Sequence, residues 1–361
     1  MRSLSAAIAL CAALAVTAAR AEGPLVKYGD PVPRDVREMY DAGLRHLLKT
    51  QDATGAWKSP HGNPAPTAMA LMVLLASGED PNFGPYRTSI RRAIRALLNE
   101  QDAAVGYIGG QGGNPSMYHH GFAMLGLAEA YGVVDDRGLW SEPGAQRGQG
   151  QGRSIGKALE LAVRAAVTAN KKNPTGGWHY GPEMQSADTS VSGAVLMGLL
   201  AARNSGIEVP DETIDRAIKY YVSMTGGNGN VGYSGGPGHG TEATTSIGVL
   251  VFSIARRQAL PQYKAAKAYL EKASGGGGAV AGGPMGIRGP GSSYEHYYRA
   301  QALFQCDVAA WEKWNTSFVK SLKAQQAKDG SFAMSYGADV DTPLTLLALA
   351  VNYKFLPVYE R

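Results

Sequence analysis

A unit of helix, Gln- and Gly-rich turn, aromatic residue and second helix recurs along this chain, and it restricts the fold more than any other feature. It reads Leu48-Lys49-Thr50-Gln51 to Gly55-Ala56-Trp57, then Leu98-Asn99-Glu100-Gln101 to Gly106-Tyr107. It returns as Leu322 to Gln325, followed by Asp329-Gly330-Ser331-Phe332. Such a unit cannot bury its own apolar face, so successive copies must stack on one another. Apolar-rich runs at 67–76, 118–131, 189–203, 243–257, 294–305 and 343–353 alternate with amphipathic runs at 34–50, 86–101, 154–170, 211–224, 262–273 and 311–327. The first set lacks a polar face, as Ala68-Met69-Ala70-Leu71-Met72-Val73-Leu74-Leu75 illustrates, and belongs between two apolar layers. The second has one wet side: Ile90, Ala93, Ile94, Leu97 and Leu98 share a stripe, with Arg91, Arg92 and Arg95 opposite. Six outer and six inner runs predict an all-α single domain, an (α/α)6 toroid of six helical hairpins, with an open solenoid as the alternative. Period-2 alternation is nearly absent, which disfavours strands. Gly-rich inserts at 140–153 and 275–291 read as loops at a barrel end.

Residues 1–21 carry Arg2, an apolar stretch from Leu4 to Ala19 and the small-residue site Ala19-Arg20-Ala21. This pattern predicts a secretory signal peptide cleaved near Ala21, and hence a secreted or periplasmic protein. Residues 22–33 read as an N-terminal extension and 34–361 as the repeat domain. No other stretch is apolar enough to span a bilayer, so no transmembrane segment is expected. Cleavage removes Cys11 and leaves Cys306 alone, so stability must come from the core and not from an internal disulfide. Loss of Arg2 and Arg20 lowers the formal net charge from +5 to +3. Without a basic run or interleaved aromatic and basic residues, a nucleic-acid partner is not expected. Gly227-Asn228-Gly229-Asn230-Val231-Gly232 matches a dinucleotide-binding spacing by letter, but it follows a helix and not a strand. No cofactor is expected.

The Gln-to-aromatic turns, Pro174-Thr175-Gly176-Gly177-Trp178 and the pairs Asp188-Thr189 and Asp341-Thr342 resemble the prenyltransferase and squalene-oxidase repeat family. That family contains the toroids of terpenoid cyclases and of protein prenyltransferase β-subunits. The blocks Met117-Tyr118-His119-His120-Gly121, Tyr297-Tyr298-Arg299-Ala300-Gln301-Ala302-Leu303-Phe304 and Trp311-Glu312-Lys313-Trp314-Asn315 resemble its secreted bacterial branch. The resemblance runs from about residue 34 to 353. It implies inner helices that start at one mouth of a central ligand-binding cavity. Candidate catalytic residues there are Glu242, Glu295, Asp188 and Asp341. Candidate binding residues are His119, His120, His239, His296, Tyr118, Tyr294, Tyr297 and Tyr298, facing a small-molecule or glycan ligand.

Several of these residues also have a structural reading. Asp188 and Asp341 fit helix N-caps, and Ser292 with Glu295 fits a capping box. Asp339-Val340-Asp341-Thr342 lacks the third carboxylate of the Asp-x-Asp-Asp acid of class II cyclases. Cys306 lies at the far end of its helix from Glu295 and His296, which argues against a prenyltransferase zinc site. A thiolate-free set drawn from His119 or His120, His239, Glu242 and His296 is the remaining metal arrangement, and no metal is expected. Glu242 and Glu295 could act as acid and base on a glycan. Tyr107, Trp178, Tyr180, Tyr233, Tyr297 and Tyr298 either stack on a ligand or fill gaps between helices. The expectation is a cavity-binding toroid without cyclase or prenyltransferase chemistry. A glycan hydrolase or lyase and a non-catalytic surface scaffold are the alternatives.

Overall fold

The computed structural model describes residues 32–60, 62, 64–110, 116–145, 147–148, 152–275 and 291–356. The expected signal peptide, nearly all of the extension and most of the 275–291 insert lie outside the described residues. Twelve helices alternate among the described residues: α1 (Arg34–Thr50), α2 (Pro64–Leu75), α3 (Arg87–Asn99), α4 (Met117–Ala130), α5 (Ile155–Lys172), α6 (Thr189–Asn204), α7 (Asp211–Met224), α8 (Glu242–Ile254), α9 (Pro261–Gly275), α10 (Ser293–Cys306), α11 (Val308–Lys323) and α12 (Ala338–Ala350). Extended pairing among these residues is limited to two isolated bridges, Asp188 with Ser234 and Thr225 with Val231.

Each even-numbered helix packs on its two even-numbered neighbours, and α12 returns to α2, so the inner ring closes. The odd-numbered helices lie outside, with α11 meeting α1. The inner helices are apolar all round because both of their sides are covered: every residue of α2 from Pro64 to Leu74 is buried. On α3 the expected stripe is buried, but so are Arg91 and Arg95. Glu142, in the 140–153 insert, explains the difference. Its carboxylate takes Arg91 Nε at 2.5 Å, Arg95 Nη1 at 2.5 Å and Arg87 Nη2 at 3.1 Å, so the insert covers what would otherwise be a wet face.

The recurring turn has a physical job. In the first hairpin the Gln51 carboxamide donates to Gly55 O of its own turn and to Ser89 O of α3, both at 2.9 Å. Gln101 repeats this on Gly106 O and on Ala158 O of α5, again at 2.9 Å. The last copy uses Gln326, one residue after Gln325, which ends the repeat motif in the sequence. Its amide bonds Gly330 O at 2.9 Å and Met39 O of α1 at 2.8 Å. Each carboxamide therefore ties one outer helix to the next, and the final one closes the ring. Gly330, at φ 89°, lies so close to the Ala42 carbonyl that a Cβ would collide with it.

Candidate functional site

Because inner and outer helices alternate, all the even-numbered helices run the same way and their N-termini gather at one mouth. A repeated hydrogen bond sets their depth. Thr67 Oγ1, Ser192 Oγ, Thr245 Oγ1 and Thr342 Oγ1 accept the turn N–H groups of Trp57, Trp178, Val231 and Phe332 at 2.8 to 3.2 Å. His120 takes this place in the second hairpin: its Nδ1 accepts from Ile108 N–H at 3.0 Å while Nε2 lies 3.0 Å from Ala162 O. Both ring nitrogens are thus committed to backbone, and His120 is fully buried. The expectation that it contacts a ligand is replaced by a turn-anchoring role.

The two Asp-Thr pairs of the sequence differ in register. Ser192 and Thr342 make the equivalent bond, so Asp341-Thr342 is not the counterpart of Asp188-Thr189. Asp188 is the N-cap of α6, whereas Asp341 lies one turn inside α12, which starts at Ala338 and carries Pro343 within it. Their surroundings differ accordingly. Asp341 Oδ2 accepts the N–H groups of Met334, Ser335 and Tyr336 at 2.7, 2.9 and 2.9 Å, and Oδ1 accepts from Ser293 Oγ at 2.5 Å. It pins the turn before α12 to the start of α10. Asp188 Oδ1 accepts from Val191 N–H at 2.9 Å and Ser190 Oγ at 2.5 Å, while its buried Oδ2 has no hydrogen-bond partner.

Glu242 and Glu295 do come together, but around a cation. Arg299 Nη1 lies 2.5 Å from Glu242 Oε2 and 3.0 Å from Glu295 Oε1, and Gly291 N–H donates to Glu295 Oε2 at 3.0 Å. Burial pushes the Glu242 carboxyl above its ordinary range; Arg299 opposes the shift and the Glu295 charge adds to it. The Arg299 guanidinium also lies 5.9 Å from the Trp314 ring of α11, so the triad sits between the inner and outer layers. His296 faces the same way, its ring 4.7 Å from Phe318, and burial lowers its pKa to about 4. It is turned from the mouth. His239 is exposed on the α7–α8 connection at φ 46°. His119 is buried, its Nδ1 accepting from Ala65 N–H at 3.3 Å near the start of α2. The histidines and Glu242 therefore do not converge, and among the described residues no three His, Cys, Asp or Glu side chains form a metal-binding group.

The expected axial cavity is interrupted by aromatic rings. Helices α4 and α10 stand opposite each other in the ring, yet Tyr118 meets Tyr294 at 6.2 Å and Phe122 meets Tyr297 at 5.9 Å between centroids. Tyr298 packs against both Tyr294 and Tyr297, at 4.9 and 4.8 Å. Above this plug, Tyr336 lies 6.4 Å from Tyr294, and the hydroxyls of Tyr180 and Tyr233 are 3.5 Å apart. Burial and then the charge of Asp188 raise the Tyr233 phenol, while burial is the main cause of the rise at Tyr180. Tyr180 is 44% exposed, so this rim opens to solvent. Tyr336 was missed by sequence reasoning because nothing local links it to the mouth. Arg299 was legible in principle, lying four residues after Glu295 on one helix face.

Solved structures with a similar fold include a variant of the type II terpene cyclase MstE from Scytonema, in complex with geranylgeranyl dihydroxybenzoate. It matches with a TM-score of 0.60 and 16% identity over 89% of this chain and 98% of that one. An inactive α-1,6-mannanase variant from Salegentibacter, in complex with α-1,6-mannotriose, matches at 0.59 and 11% identity, over 89% and 99% of the two chains. A family-76 mannosidase from Bacteroides thetaiotaomicron matches at 0.61 and 9%, over 88% and 98%. The chain is an α/α toroid. At these identities the likeness of the toroid to its neighbours extends to the fold. No protein-family model and no curated protein matches the sequence.

Proposed function

We propose that this toroid is an exported ligand-binding protein that works at the tyrosine-rimmed mouth around Asp188 and performs neither polyprene cyclisation nor paired-carboxylate glycan cleavage. The observation that carries this reading is the aromatic bridge between α4 and α10, which occupies the axis where a long isoprenoid chain would have to lie. The state of the acids supports it. Asp341 accepts four hydrogen bonds from the protein and is an anchor, not a proton source. The side chains of Glu242 and Glu295 are largely enclosed and share one arginine cation, so neither is free to act as acid or base on a sugar. Of these four acids, Asp188 keeps a buried oxygen without a hydrogen-bond partner. The first-turn position of Tyr118 and Tyr294 makes the mouth shallow, suited to a small molecule or the end of a glycan.

The test uses the full mature chain with the two ligands of the neighbouring folds, geranylgeranyl dihydroxybenzoate and α-1,6-mannotriose. Backbone hydrogen exchange under ligand should gain protection in the turns carrying Tyr180 and Tyr233, and mass spectrometry should find both compounds unchanged. A cyclised or hydrolysed product, or protection only along α4 and α10, would overturn the reading. Export is checked separately: the secreted chain should begin at Glu22.

A further inference from the structure

We infer that the mouth around Asp188 receives an organic ammonium group. The inference rests on the mouth being the binding site and adds the chemical class of what binds there. Asp188 is 1% exposed, its Oδ1 is held by Val191 N–H and Ser190 Oγ, and its Oδ2 is buried with no hydrogen-bond partner. Its backbone is fixed from both sides: Asp188 N–H donates to Trp178 O, and the next residue, Thr189, donates to Tyr233 O, each at 2.9 Å. The open oxygen is therefore held in place and not free to swing into water.

No lysine, arginine or histidine forms an ion pair with Asp188 among the described residues. The groups whose ionisation its charge opposes are all phenols: Tyr180, Tyr220, Tyr221, Tyr233 and Tyr294. The α6 N-terminus offsets part of the charge, as it does for any N-cap acid. A buried carboxylate is ordinarily paired with a cation or satisfied by donors at both oxygens, because an uncompensated one is costly. Among the described residues the neighbouring donor is the neutral Tyr233 phenol, and no cation fills that place. A neutral hydroxyl would fill the hydrogen bond and leave the charge. A bare metal ion would need several such ligands, and among the described residues no three His, Cys, Asp or Glu side chains gather. An ammonium group needs one carboxylate and surrounding aromatic rings, whose quadrupoles favour a cation. Tyr180, Tyr233, Tyr294 and Tyr336 supply those rings, and the partly exposed Tyr180 marks the entry.

The experiment titrates the full mature chain with choline, with its uncharged isostere 3,3-dimethylbutan-1-ol and with α-1,6-mannotriose, read by ligand-observed NMR and calorimetry. Choline should bind at least about tenfold more tightly than the isostere, the scale expected of a desolvated cation–aromatic site. Asp188→Asn, which keeps an N-cap acceptor while removing the charge, should erase that preference. If that variant melts early, Asp188→Ser serves the same purpose. Equal binding of choline and the isostere, or an unchanged choline affinity in Asp188→Asn, would contradict the inference. Mannotriose binding without choline binding would sink the ammonium assignment and leave the mouth as a site. Silence from all three probes would sink both.

Discussion

His120 carries its proton on Nε2, an assignment set by its hydrogen bonds: Nδ1 accepts from Ile108 and Nε2 faces the Ala162 carbonyl. Burial lowers its pKa to about 4, and the Ala162 bond offsets only part of that. The unfolded chain therefore binds a proton that the folded one refuses, so this residue's stabilisation is present above about pH 6.5 and is lost as pH falls towards 4. His120→Ala should cost about 3 kcal/mol at pH 7 through the lost bonds and the cavity, and should flatten that acid limb. Urea titrations of both proteins between pH 4 and 7.5 check both effects. Glu242 has the opposite sign. Its raised pKa means that the folded state holds the proton more tightly, so its contribution declines as pH rises above the ordinary glutamate value of 4.5. Glu242→Gln should accordingly gain stability relative to the native chain between pH 4.5 and 8, and a constant gap across that range would refute the shift. None of these roles was legible from residue type. His120 reads as a ligand contact until Ile108 and Ala162 are seen, and Asp188 and Asp341 look alike until their donors are counted.

Element identity was far more legible than element bounds. The bounds of α1 and α7 match the sequence expectation, because a one-sided apolar stripe marks where each helix starts and stops. Helix α12 begins at Ala338 and not at Pro343, since Gly337, at φ 88°, ends the preceding turn and Asp341 gathers that turn's N–H groups. Proline is a favoured first-turn residue, so the sequence offered Pro343 as a start that three backbone donors to Asp341 moved upstream. The repeat glutamine shows the same one-residue ambiguity. Gln326 ties α11 to α1, whereas Gln325 is exposed and bonds only Ser321 O within its own turn. Gln326→Ala should lose about 1 to 3 kcal/mol, because the Met39 and Gly330 carbonyls lose their donor. Gln325→Ala should stay within about 0.5 kcal/mol of the native chain. Chemical denaturation of the pair distinguishes them, and equal losses would refute the closure role of Gln326.

At the scale of the whole molecule, the count of six hairpins foretold a closed ring, and the structure closes it twice, through α12 on α2 and through Gln326 on Met39. What the sequence could not convey is what fills the ring. Tyr118, Phe122, Tyr294 and Tyr297 are each compatible with a cavity wall or a plug, and only the approach of α4 to α10 across the axis decides between them. The plug also shapes the expected functional behaviour, since it leaves the mouth, where Tyr180, Tyr233 and Tyr336 rim the buried Asp188, as the polar end of the inner ring. Phe122→Ala should open the axis at a cost of about 3 to 5 kcal/mol, and the melting temperature should fall accordingly. The most direct measurement is a crystal structure of the mature protein grown with geranylgeranyl dihydroxybenzoate and, separately, with α-1,6-mannotriose. The Phe122 and Tyr297 rings should remain within about 6 to 7 Å of each other, the range of packed aromatic pairs, with any ligand density confined to the mouth. Rings drawn apart with a ligand threaded between α4 and α10 would contradict the account.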